Sequence, residues 1–406
     1  MARKPLKPVS KPAESSEDFF DPDSVFSPQP QAPNVKAIAN IYKGMSSVQG
    51  GPTAVLKRVR AVPTRFPSFD WATRVGGMPT ERFCVVHGPS SHGKTSFVHG
   101  VGESFLRSNH FYHFIDAERT TPIEWLEGLM GDACNSPMFS ASRPKSFEQT
   151  VLDTRIFLNN IIKAKKAGEL PTETSALIAV DSIRKLVPEN ILAKMAEAAK
   201  KEELKGGVDG YSGRAGQIKA ALNAAWLDEL IPLLDESGAC MIAITRESQN
   251  TVADMFAVDY KMTGGNALEF DSSLIVRVER DAWLKTGEGE NATITGERHR
   301  LTIRKTKVGG KEGKNTRAYF HTSNGTISPE GFNRAMDVLM MAQKFGLVTS
   351  SGGWFAYQPE DGSKGFKWHG EQQALRVLQE HATLLPQLEE SVRRQFKQRE
   401  PEKGEE

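Results

Sequence analysis

The chain has 406 residues, of which 38% are hydrophobic and 25% charged, and its formal net charge is +2. That is enough apolar material for one large domain with appendages or for two domains, while the near-neutral balance does not by itself point to a nucleic acid. The three cysteines, Cys84, Cys134 and Cys240, lie far apart without metal-binding spacing and read as small hydrophobes of a reducing compartment. No run is long and apolar enough to span a bilayer, and the basic start "MARKPLKPVS" leads into prolines and acids rather than an apolar h-region. A soluble, cytoplasmic protein with no membrane partner is expected.

Residues 1–33 are rich in Pro, Ser and charge and predict a flexible tail. Residues 34–57 carry "NVKAIANIYKGM", where Val35, Ile38, Ile41 and Met45 have helical spacing. Over 58–325 strand-like runs such as "RFCVVHG", "YHFIDA", "SALIAVDS", "ACMIAIT", "SLIVRVER" and "HRLTIRKTKV" alternate with helix-like ones such as "TSFVHGVGESFLR", "TPIEWLEGLMG" and "AGQIKAALNAAWLDELIPLLDESG". Alternation of this kind predicts an α/β layer around a mainly parallel sheet. Residues 326–397 read as a separate small α+β domain, and 398–406 as a charged tail.

The stretch Gly88-Pro89-Ser90-Ser91-His92-Gly93-Lys94-Thr95-Ser96 sits between a strand-like and a helix-like run. It has the form of a P-loop. Its glycines let backbone N–H groups converge on phosphate oxygens, and the following helix points its positive end at the same anion. Lys94 is placed to reach the outer phosphates and the Thr95 hydroxyl to bind Mg²⁺. A second carboxylate is expected at a strand's carboxyl end, and Asp181 in "ALIAVDS" supplies it. "YHFIDAERT" offers Asp116 and Glu118 to orient an attacking water, and Glu118, just past the strand, is the better placed.

With these residues in hand the chain resembles the RecA-type recombinases, from about Ala37 to Phe396. The resemblance is carried by "SFDWATRVGGMPTERFCVVHGPSSHGKT", "FIDAE", "AVDSIRKLVP", "TGGNALEF" and "RKTKVGG". It implies a RecA-like P-loop NTPase core with an N-terminal helical oligomerisation segment and a small C-terminal domain. It also implies a helical filament of self-associated subunits on single-stranded DNA, with ATP and Mg²⁺ between neighbours, and strand exchange with double-stranded DNA. Under it Glu118 activates water, while Lys305 and Lys307 reach a neighbour's ATP. Their spacing of two puts them on one side of a strand.

The same resemblance implies two DNA-binding loops. The first would lie between Pro188 and Gly213, with the glycine-rich "GGVDGYSGR" and Arg214 as its contact region. Its "AKMAEAAKKEELK" stretch reads as an exposed helix of mixed charge. The second would run from about Glu247 to Gly264, with Met255 and Phe256 placed to wedge between or stack on bases. Gly264, Gly265 and Asn266 would cradle a DNA phosphate.

The sequence departs from the family pattern in places. Arg246 stands where the family usually has a glutamine that senses the γ-phosphate, with Gln249 nearby. Gln217 and Ala224 replace basic residues after the first loop, and the segment after Glu118 is one residue short, which leaves Trp125 as a core residue or an adenine contact. These departures and the long tail suggest a divergent, phage-encoded or otherwise distant member. The "GSKGFKWHG" stretch at 362–370 interleaves lysines with Phe366 and Trp368, and reads as a hairpin surface or a contact for duplex DNA. A ring-forming helicase motor and a non-hydrolysing DNA-binding regulator share the core pattern and stand as rival readings.

Overall fold

The computed structural model describes residues 58–200, 209–249, 260–287, 289, 292–309, 312, 316–326, 330–359, 362, 365–381 and 383–396, with backbone alone at 198–200, 209–215, 249 and 260–261. The expected tail over 1–33, the expected helix over 34–57, Met255, Phe256, Lys364 and the charged tail lie outside the described residues.

Ala61–Val62 (β1) pairs antiparallel with Met78–Pro79 (β2). Between them Pro67–Thr73 (α1) begins with proline at its first position, where no N–H is required. Phe83–His87 (β3) enters the P-loop, which opens Lys94–Arg107 (α2). Phe111–Asp116 (β4), Ile123–Met130 (α3) and Phe139–Ser142 (β5) follow. Phe147–Lys166 (α4) is capped by the Ser146 side chain, which accepts from the Gln149 N–H. Next come Ala176–Asp181 (β6), Glu189–Lys200 (α5), Asp209–Ser237 (α6) and Cys240–Ile244 (β7).

Glu247–Gln249 (β8) pairs antiparallel with Tyr260–Met262 (β9), and the short helix Asn266–Asp271 (α7) follows. Leu274–Thr286 (β10) and Thr293–Thr306 (β11) form a long antiparallel hairpin, extended by Arg317–Ser323 (β12) and Gly331–Phe332 (β13). The chain ends in Arg334–Lys344 (α8), Val348–Ser351 (β14), Trp354–Tyr357 (β15), Phe366–His369 (β16), Glu371–Glu380 (α9) and Leu384–Gln395 (α10).

Nine strands make the main sheet in the order β13-β12-β11-β10-β3-β7-β6-β4-β5. From β10 to β5 every pairing is parallel, and the other edge is antiparallel. The expected mainly parallel α/β core is therefore present. Its central strands read as unbroken apolar runs because both faces are covered. Along β3, Cys84 and Val86 pack with Phe97, Val101 and Phe105 on one face. Phe83 and Val85 pack with Leu158, Trp226 and Leu230 on the other. Cys84 and Cys240 are buried free thiols, and burial pushes Cys84 up to about 12.

Two expectations change. The "DGYSGR" stretch is helical, so Arg214 lies within α6 rather than in an irregular loop. Once the packed part of α6 around Trp226 and Leu230 is formed, each added helical residue gains a hydrogen bond without a new nucleus. Trp368 is 1% exposed and belongs to the cluster formed by Val338, Leu339, Tyr357, Leu378 and Leu388. It faces inward from β16 and is not a DNA-facing residue.

This last cluster is tied to α1 by an ion pair. Arg393 on α10 donates to Asp70 Oδ2 at 2.7 Å and to the Thr64 carbonyl at 2.6 Å. Asp70 is fully buried, and desolvation raises its carboxyl to about 7 even with Arg393 beside it. Removing one partner of a buried pair strands the other. Arg393→Met should therefore lower unfolding free energy by about 3 kcal/mol in denaturant titration. A loss under about 1 kcal/mol, the range of an exposed pair, would show that the link contributes little.

Candidate nucleotide site

The P-loop joins the carboxyl end of β3 to the N-terminus of α2, beside the carboxyl ends of β6 and β7. That is where an open α/β sheet leaves a crevice for ligands. Gly88 is obligatory: a Cβ there would fall 2.0 Å from the Val278 carbonyl oxygen. Gly93 has φ +89°, which favours glycine, and no side chain caps the helix that it opens. The uncapped N–H groups at this end suit an anion.

Lys94 is buried, and its Nζ donates to the Pro89 carbonyl at 2.5 Å. Desolvation lowers its pKa, with Asp181 pulling the other way. The Thr95 hydroxyl donates to Asp181 Oδ2 at 2.5 Å. Burial raises the Asp181 carboxyl to about 6, against the Thr95 hydrogen bond, and Glu118 raises it further. Thr95 and Asp181 are hard oxygen ligands set side by side. Among the described residues no cluster of three or more His, Cys, Asp or Glu could hold a metal. A donor set this sparse fits Mg²⁺, which keeps waters and substrate oxygens among its ligands.

Glu118 and Asp181 are joined through backbone and side chain. The Glu118 N–H donates to the Asp181 carbonyl at 2.9 Å, and Ser182 Oγ donates to Glu118 Oε1 at 2.9 Å. Arg246 Nη2 reaches the same carboxylate at 3.2 and 3.4 Å. Asp116 instead pairs with Arg143 Nε at 2.9 Å, which leaves Glu118 as the carboxylate turned toward the P-loop side. Lys94, Thr95, Glu118, Asp181 and Arg246, drawn from separate stretches of the chain, thus converge.

Arg246 also stands at the root of the β8–β9 hairpin. Its carbonyl accepts from Thr263 N at 3.0 Å and from Thr263 Oγ1 at 2.9 Å. The next residue, Glu247, accepts from Arg277 at 2.9 and 3.0 Å and lies 3.3 Å from His87, the last residue of β3. Burial pushes the Glu247 carboxyl up, but the hydrogen bonds from His87 and Arg277 outweigh it and hold the group at about 2. The Gln249 side chain is outside what is described.

A cavity of about 480 Å³ opens over the P-loop, lined by Ser91 and Lys94 and by Trp125, Arg280, Trp283 and Asn324 among others. Trp125 is a wall of this cavity, not a core residue. Helix α3 packs through Leu126, Leu129 and Met130, and Trp125 falls off that stripe. Sequence reasoning missed Arg280, Trp283 and His299 on β10 and β11, since no motif marks them. Arg280 and His299 stand at the ends of the strand-like runs "SLIVRVER" and "HRLTIRKTKV", and their only signal is the polar alternation of those strands.

Lys305 and Lys307 do not line this cavity. Lys305 Nζ donates to the carbonyls of Glu269 and Phe270, and Lys307 Nζ donates to Phe270 at 2.8 Å, so both sit at the carboxyl end of α7. At the other end of α7, Gly264 and Gly265 have φ +120° and +99°, and Asn266 is exposed. Asn223 Nδ2 holds the Gly264 carbonyl at 3.1 Å. No helix among the described residues is long and apolar enough to cross a membrane.

Comparison with known proteins agrees with this arrangement. The family model of the RecA N-terminal domain matches residues 33–313. The chain is 27% identical over 361 residues to Protein RecA of Bdellovibrio bacteriovorus, covering 88% of this chain and 83% of that protein. It is 26% identical over 342 residues to Protein RecA of Syntrophus aciditrophicus, covering 83% and 85%. It is 25% identical over 393 residues to Protein RecA of Bifidobacterium breve, covering 96% and 86%. A P-loop facing Asp181 and Glu118 across the carboxyl ends of a mainly parallel sheet, with a family match over more than half the chain, places this protein in the RecA family as a divergent member.

Proposed function

We propose that the protein is an ATP-dependent DNA recombinase. It assembles as a helical filament on single-stranded DNA, pairs that strand with a homologous duplex and exchanges strands, hydrolysing ATP to ADP and phosphate. The observation that carries this reading is the Arg246–Glu118 contact, which joins the nucleotide site to the root of the β8–β9 hairpin. A nucleotide that alters this contact also alters the segment that the hairpin frames. In this reading that segment, with Met255 and Phe256, takes DNA.

Each residue has a physical role. The P-loop N–H groups and Lys94 face the phosphates. Glu118 orients the attacking water, and Ser182 fixes its carboxylate. Thr95 and Asp181 hold Mg²⁺, which when bound neutralises phosphate charge. Arg246 leaves Glu118 for the γ-phosphate. Lys305 and Lys307 act on the ATP of the next subunit, where two cations stabilise charge that develops in the transition state. Gly264, Gly265, Asn266 and Arg214 contribute to the DNA-facing side.

Lys94→Ala should abolish ATP-dependent binding to single-stranded DNA. Glu118→Gln should keep ATP binding and slow hydrolysis on the order of a thousandfold. Single-turnover hydrolysis and fluorescence anisotropy with labelled DNA separate the two effects. Normal turnover in Glu118→Gln would move the water-orienting role elsewhere.

Asp181 predicts a pH dependence. Its folded pKa of about 6 lies above the ordinary 3.8, so the carboxylate that holds Mg²⁺ is present above about 6 and lost as pH falls through it. The apparent Mg²⁺ dissociation constant should rise about tenfold per unit of pH below that point. An ordinary carboxylate would show no change until about pH 4. Affinity for Mg²⁺ that stays flat between about pH 7 and pH 5 would rule out this assignment.

A further inference from the structure

The outer side of the P-loop is held by the β10–β11 hairpin. Arg280 Nη2 donates to the Ser91 carbonyl at 2.8 Å, and the Arg280 N–H donates to His92 Nδ1 at 3.0 Å. His299 Nδ1 lies 3.1 Å from the His92 carbonyl oxygen. A carbonyl only accepts, so Nδ1 carries the hydrogen. Burial lowers the ring's pKa to about 4 and keeps it neutral, so with its one hydrogen on Nδ1 it donates nothing to Glu297 Oε2, 3.1 Å from Nε2; that oxygen instead takes Arg280 Nε at 2.9 Å. The ring is buried and stacked on Phe320, with centroids 4.5 Å apart and planes at 13°. A Cβ on Gly93 would come within 2.5 Å of His299 Nδ1, so the loop rests directly on the ring.

Peptide geometry converts these contacts into aim. In a trans peptide unit the carbonyl and the following N–H point in opposite directions. The Ser91–His92 and His92–Gly93 peptides are trans. Holding the Ser91 carbonyl from outside therefore turns the His92 N–H inward. Holding the His92 carbonyl does the same for the Gly93 N–H. Two fixed oxygens thus direct two of the donors that form a phosphate nest.

We propose that His299, together with an Arg280 held by Glu297, is a positioning residue of the nucleotide site that orients the P-loop N–H groups before a phosphate arrives. The proposal rests on the nucleoside triphosphate reading given above. Donors fixed in advance require no rearrangement when the anion binds, whereas a free loop would lose affinity in ordering itself. Nothing in the sequence flags His299, because it lies 207 residues beyond His92 and acts through main-chain atoms.

Two substitutions separate aim from packing in the full chain. His299→Phe keeps a ring against Phe320 but has no N–H for the His92 carbonyl. His299→Asn loses the stack but keeps a donor, because Asn Nδ2 takes the place of Nδ1. Calorimetric titration with MgATP should show about tenfold weaker binding for His299→Phe, with near-normal thermal unfolding. His299→Asn should bind within about threefold of wild type although it melts earlier. Affinity that follows melting temperature across the pair, or wild-type binding by His299→Phe, would overturn the proposal. Should His299→Phe not fold, Arg280→Gln, which releases the Ser91 carbonyl, is expected to weaken MgATP binding similarly, and unchanged binding there would also overturn it. If the wild-type chain itself ignored MgATP, the nucleotide reading would fall, and this proposal with it.

Discussion

Two cations and two carboxylates meet at one site, where Lys94 and Asp181 are buried and Arg246 and Glu118 lie toward its mouth. Burial drives the Lys94 pKa down and the Asp181 pKa up, and each of these two buried groups is favoured as an ion by the opposite charge of the other. The group is balanced as it stands. A triphosphate entering it adds negative charge that must be met by positive charge from elsewhere. In the proposed reading, Mg²⁺ on Thr95 and Asp181 would supply part. The remainder, in the proposed reading, is brought by Lys305 and Lys307 of another copy. The two lysines lie outside the pocket of their own chain and hold main-chain carbonyls at the end of α7. Charge balance therefore gives a physical reason for binding and self-assembly to be linked.

The same balance explains how a small change at a phosphate could be felt at a distance. Arg246 is held by Glu118 on one side, while its carbonyl is fixed by Thr263 and its neighbour Glu247 is locked between His87 and Arg277. The backbone at this point is fixed by several hydrogen bonds, while the guanidinium is half-exposed. Where a glutamine would offer a neutral contact, an arginine brings a full charge that, in the proposed reading, passes between Glu118 and a phosphate. Such a residue has two alternative partners, which is what a two-state element requires.

How much of this was legible in the sequence depends on where each signal lies. The P-loop, Asp181 and Glu118 were readable because their chemistry is local: glycines, a lysine and carboxylates at the ends of apolar strands. The central strands were readable because residues alternate between two covered faces, leaving unbroken apolar runs. Trp125 could read as core because hydrophobicity alone does not say which side of a short helix a residue occupies. "DGYSGR" looked like a loop because its glycines are weak helix formers, yet it continues a long packed helix. Trp368 looked like a surface residue because Lys367 and His369 flank it, yet alternation along β16 turns it inward. The Arg280–Glu297–His299 brace was out of reach, since it joins a hairpin to main-chain atoms far away in sequence.

The claim at the centre of this account is that a nucleotide gripped by one subunit is completed by the next. Cryo-electron microscopy of the full chain with single-stranded DNA and a slowly hydrolysed ATP analogue tests it directly. The account predicts a continuous helical filament with the analogue between the P-loop of one subunit and Lys305 and Lys307 of its neighbour. Closed rings, or an analogue enclosed by a single subunit with both lysines remote from every phosphate, would contradict it.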